Sequence, residues 1–107
     1  DDEAAFDQGS VLACVYTWYF GLFDQLIQST TSEALPADKA KALVLGMAKG
    51  AASLALQKPE TSGEIAEAIA TDGTFSKLGL DVLKEQKAFA PWDDACGLLI
   101  ERLSSGK

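Results

Sequence analysis

The chain has 107 residues, 48 % of them hydrophobic and 23 % charged, which fits one small folded domain and excludes a disordered chain. Sixteen acidic residues against nine scattered basic ones give a formal charge of −7 and no basic stripe, so nucleic acid is excluded as a partner. Histidine is absent, which removes His-based triads and most zinc sites; no metal ligand and no catalytic residue is predicted.

The first predicted helix covers residues 8 to 29. Residues 11–23, VLACVYTWYFGLF, carry no charge, and Asp24 and Gln25 close the run. The run is shorter than the ~20 residues a membrane span needs. A secretory leader starts with basic residues, whereas this chain starts DDEAAFD. The apolar residues go nearly all the way round, which predicts a helix that is central or covered by a partner rather than one in a membrane. The rings of Tyr16, Trp18, Tyr19, Phe20 and Phe23 read as core or interface, with a pocket for a small apolar ligand as the alternative. Asp24 reads as a solvated or hydrogen-bonded helix position. The polar run Ser29-Thr30-Thr31-Ser32 ends the helix.

A second helix starts near Pro36, where a missing N–H costs nothing, and stops at Pro59. Ala40, Leu43, Val44, Met47, Ala48, Ala51, Leu54 and Ala55 hold one face, and Gly46, Gly50 and Ser53 form a stripe of small residues. Interior glycines cost about 1 kcal/mol each relative to Ala, so the stripe predicts close approach of another helix. Thr61 with Glu64 reads as a capping box for a short third helix that turns Ile65 and Ile69 inward. The fourth helix follows IATDGTFSKLGL, with Phe75, Leu78, Gly79, Val82 and Leu83 on one face. The fifth opens at Pro91, with Trp92, Ala95, Cys96, Leu99, Ile100 and Leu103 as its stripe, and Asp93 and Asp94 in its first turn as the helix dipole prefers. Those two acids point to different sides and make no catalytic pair.

No strand is predicted, and no glycine-rich turn follows a strand, so this stretch by itself binds no dinucleotide in the βαβ manner. Cys14 and Cys96 lie far apart in apolar stretches and read as reduced, buried thiols of a cytoplasmic protein. Residues 1–107 read as a single all-α domain.

The start of the fourth helix admits two readings. Thr71, Asp72 or Thr74 caps it, which is the commoner case, or its free N–H groups hold an anion that Gly73 lets approach. In the first reading the Asp72 carboxylate occupies the place an anion would take.

The stretches ALPADKAKALVLGMAKGAASLALQ and IATDGTFSKLGLDVLKEQKAF resemble the C-terminal helical domain of the 1-pyrroline-5-carboxylate reductase family, over roughly residues 12 to 103. Leu35-Pro36 and Gly50-Ala51 match the family pattern. The family's Ser-Pro-Gly-Gly-Thr-Thr loop falls on Thr71-Asp72-Gly73-Thr74-Phe75-Ser76. Gly73 is kept; Asp72 replaces Pro, Thr74 the second Gly and Phe75 the first Thr. The family's Ser-Gly-Ser-Gly-Pro-Ala-Tyr stretch falls on LACVYTW and hardly matches. The resemblance implies a five-helix bundle interlocked with a second copy as a homodimer. It implies a parent protein with an N-terminal Rossmann domain, absent from this stretch, that binds NAD(P) and transfers hydride to a cyclic imine to give proline. It also implies a substrate pocket at the dimer interface, with Thr71, Gly73, Thr74, Phe75 and Ser76 near the substrate carboxylate. The isolated domain is then expected to bind no cofactor and to be inactive. A stand-alone helical interaction module without chemistry is the alternative.

Overall fold

The computed structural model describes residues 2–105. It contains five helices and, among the described residues, no strand: α1 Asp2–Thr30, α2 Ala37–Gln57, α3 Ser62–Ile69, α4 Phe75–Glu85 and α5 Ala90–Ser105. The fold is all-α, as the sequence predicts. The chain divides into two compact units. One is Val15–Ser62; the other joins the start of α1, through Cys14, to everything from Gly63 onward.

In the Val15–Ser62 unit, α1 ends in a run of hydroxyl residues that bond back to the preceding turn. Thr30 Oγ1 donates to the Leu26 carbonyl at 2.8 Å, and Thr31 donates both its Oγ1, at 2.7 Å, and its amide, at 3.0 Å, to the Ile27 carbonyl. Such local side-chain bonds compete with continuation of the helix. A short turn closed by Ser32 and Leu35, whose amides donate to each other's carbonyls at 2.9 and 3.2 Å, leads to Pro36. Pro36 is the N-cap of α2, with φ −59° and ψ 157°, and its carbonyl accepts from Ala40 at 2.9 Å. At the other end Lys58 is extended, at φ −90° and ψ 142°. That is the conformation a residue before proline is pushed into, and Pro59 is therefore what stops α2.

α3 starts at Ser62, directly after the predicted capping residue Thr61, and runs on into the other unit, which holds α4 and α5. The end of α4 is a Schellman motif. The Ala88 amide donates to Leu83 at 2.9 Å and the Lys87 amide to Lys84 at 3.0 Å, with Lys87 at φ +55°.

Three expectations are corrected. The first helix begins at Asp2, six residues before the predicted start at Gln8, and α5 begins at Ala90, one residue before Pro91. The predicted inner faces are mostly wet within the chain. Ile69, Leu78, Val82, Leu83, Trp92 and Ile100 are exposed, Phe75 is 91 % exposed, and Cys14 is exposed rather than buried. Nothing lies within 4 Å of a Cβ built on Gly46 or Gly50, so no helix of the same chain approaches the small-residue stripe. Among the described residues Val11 and Ala40 are the buried apolar ones, with Asp7 as a buried acid. Periodicity identified which faces are apolar; it carried no information on whether the cover comes from the same chain.

Candidate functional site

The residues singled out at the start of α4 come together in one turn. The Thr74 amide donates to the Thr71 carbonyl at 3.2 Å, and Gly73 stands at φ +86° as the third residue of that turn. A type II turn needs such a φ at that place, which is why glycine occurs there. Of the three candidate caps, Thr74 is the one in place. Its Oγ1 accepts from the Lys77 amide at 3.1 Å and donates to the Thr71 carbonyl at 2.7 Å. The amides of Phe75 and Ser76 lie ahead of the first intrahelical bond, as at every helix start.

A shallow concavity of about 310 Å³ opens beside the turn, lined by Gly73, Thr74, Phe75, Lys77, Leu78 and Asp81. The sequence reading did not single out Lys77 and Asp81. Their i,i+4 spacing on a helix was the available signal. Lys77 Nζ stands 3.1 Å from each oxygen of the Asp81 carboxylate. That hydrogen bond, then the charge of Asp81, raises the Lys77 pKa. The cation in this concavity is therefore already paired. Lys84 bonds Glu67 on α3, which holds the Glu67 carboxyl below its ordinary range, first through the hydrogen bond and then through the lysine charge. Both pairs are solvent-exposed, where such pairs contribute little.

The acids singled out elsewhere are not among the residues lining this concavity. Asp24 accepts from Gln28 Nε2 at 2.6 Å on the surface of α1, the hydrogen-bonded helix position its sequence context predicted. Asp93 lies in the first turn of α5. Among the described residues no group of three Cys, Asp or Glu is placed to hold a metal ion.

The rings of α1 form a ladder on its surface. Tyr16 meets Phe20 edge to face at 5.1 Å, Tyr19 stacks on Phe23 at 6.3 Å, and Phe20 meets Phe23 edge to face at 6.4 Å. Beside it, between the last part of α1 and the first part of α2, runs an apolar groove of about 550 Å³ with Leu22, Leu26, Leu43 and Met47 among its walls. By length and composition alone α1 is long and apolar enough to cross a membrane over Phe6–Thr30, a stretch that runs well past the uncharged residues 11–23 at both ends.

The chain leaves 8421 Å² accessible to solvent. A compact monomer of 11.3 kDa exposes about 5,700 Å² by the scaling of surface with mass. The excess of roughly 2,700 Å² per chain, roughly 5,400 Å² for a pair, lies at the upper end of what obligate homodimers bury.

An all-α chain with its apolar helix faces uncovered is the kind of domain that completes its core by association. The family model described as pyrroline-5-carboxylate reductase dimerisation matches residues 3–103. The chain belongs to the pyrroline-5-carboxylate reductase family as its dimerisation domain, and that membership supports a homodimer. No curated protein and no solved structure matches it.

The family implies NAD(P) for the whole protein. The described residues do not fit a dinucleotide. They contain no strand, and the Gly73 turn follows a helix, with Thr74 already on the amide that opens α4.

Proposed function

We propose that this domain dimerises an NAD(P)-dependent reductase and supplies one wall of its substrate pocket. The substrate is a small cyclic imine bearing a carboxylate, reduced to proline or a close analogue. The family match across residues 3–103 carries this reading. The turn before α4 supports it: Gly73 at φ +86° leaves backbone open beside the Phe75 and Ser76 amides, where a carboxylate fits.

Thr71, Gly73, Thr74, Phe75 and Ser76 are the residues assigned to that wall. Asp72 and the exposed Phe75 alter its charge and bulk relative to the family pattern, so a substrate changed near its carboxylate is part of the proposal. Nicotinamide chemistry belongs to another part of the protein, and the domain alone is inactive. Family membership and the two free cysteines support a cytoplasmic protein. The uncharged run of α1 is assigned to a protein contact, not to lipid.

Assay of the full-length protein for NAD(P)H oxidation with pyrroline-5-carboxylate and related imines tests the reading. Turnover that falls at least tenfold in Gly73→Val supports it. No turnover with any carboxylated imine, in a protein that binds NAD(P)H, removes the imine assignment. A full-length protein without a dinucleotide-binding unit favours the interaction module.

A further inference from the structure

The exposed face of α1 has a symmetry in its spacing. Leu12, Tyr16, Tyr19, Leu22 and Leu26 lie on one side of the helix, separated by four, three, three and four positions, and are between 39 and 67 % exposed. The pattern reads the same in both directions from Tyr19. We propose that α1 pairs antiparallel with α1 of a second copy about a two-fold axis at Tyr19. This rests on the reading of the domain as a homodimer.

In that pairing Tyr16 stands opposite the partner's Leu22, and Leu12 opposite the partner's Leu26. A two-fold contact requires this: each residue meets its counterpart, and the counterpart meets it. The Tyr16 ring then faces the smaller Leu22 side chain on each side of the axis, and leucine faces leucine at the outer level. Leu22 and Leu26 are walls of the apolar groove against α2, so the partner's Leu12 and Tyr16 fall over that groove and close it. Residues 11–23 carry no charge, which is what an occupant of such a groove requires.

A parallel pair is disfavoured on two grounds. It would align two helix dipoles in the same sense. It would also turn the two grooves toward each other and leave both unfilled.

The test is photo-cross-linking in the full-length protein, with benzoylphenylalanine at Tyr19 and light and heavy-isotope chains mixed so that links between chains are recognised. The expected product has twice the chain mass and joins position 19 to the partner's segment 16–22. A label at Leu26 is expected to reach the partner's segment around Leu12, and decides by itself should the Tyr19 label prevent folding. A label at Thr17, about 160° round the helix from Tyr19, is expected to give no link to α1. Links from Tyr19 to α4 or α5, links from Leu26 to the partner's Leu26, or equal linking from Thr17 overturn the pairing. Light scattering on the same samples separates the two claims. A dimer with the wrong links sinks the antiparallel pairing alone, and a monomer sinks the dimer reading beneath it.

Discussion

Thr74 and Gly73 divide the work of one turn. Thr74 satisfies the Lys77 amide, so Thr74→Ala is expected to cost about 1 kcal/mol, and Thr74→Ser much less, in denaturant midpoints at constant slope. A Cβ at Gly73 meets no atom within 4 Å. The penalty of Gly73→Ala is therefore one of backbone conformation at φ +86°, about 1–2 kcal/mol. Gly73→Asn, which tolerates positive φ, is expected to recover part of it. Lys87 carries the opposite prediction. It holds φ +55° at the end of α4 without being glycine. Lys87→Gly is expected to stabilise by up to about 1 kcal/mol, and a lowered melting temperature would contradict the Schellman assignment.

At the scale of elements, ion pairs and helix faces behave differently. The Glu67 carboxyl is depressed by Lys84, so whatever stability the pair gives is present above the ordinary carboxylate pKa and is lost as pH falls through the lowered value. Lys77 is raised by Asp81, so its contribution is present below the ordinary lysine pKa and lost as pH rises through the raised one. Between pH 6 and 9 these two pairs are expected to leave stability flat. Glu67→Gln should then lower the unfolding midpoint slightly above the carboxylate range, with the difference from the parent vanishing as pH falls through that range, and less so at high salt. Gly50 separates the helix from its surroundings. Leucine is the better helix former by almost 1 kcal/mol, and the chain itself leaves open space at Gly50. If a second copy packs there, Gly50→Leu nevertheless weakens the dimer by about 1–3 kcal/mol through overpacking. We expect the weakened dimer, read as a dissociation midpoint shifted to higher protein concentration; a raised melting temperature with unchanged dissociation would show that face to be open to water.

For the whole molecule, the uncovered apolar area makes folding and association one event. The melting temperature is expected to rise with protein concentration, because the folded state is stabilised by mass action. A melting temperature that stays constant over a hundredfold dilution, with light scattering showing a folded monomer, would contradict the homodimer. The same logic explains the membrane-like composition of α1. Only 6 % of its most apolar stretch is buried by its own chain, and a helix apolar all round needs cover from somewhere.

Five helices, their stops at Thr30 and Lys58, and the capped turn before α4 were legible in the residues, because hydroxyl caps, proline and an αL glycine act over four or five positions. The family pattern was legible too, in Leu35-Pro36, Gly50-Ala51 and the spacing to Gly73. The extension of α1 back to Asp2 was not, since the acidic start offers no apolar period to read. Nor were the pairing of Lys77 with Asp81 beside the turn, the choice of Thr74 over Asp72 as cap, or the exposure of Phe75 and Ile69. Apolar spacing says that a face must leave water. Which atoms cover it, those of the same chain or those of another, depends on contacts between residues distant in sequence, and only the folded chain decides that.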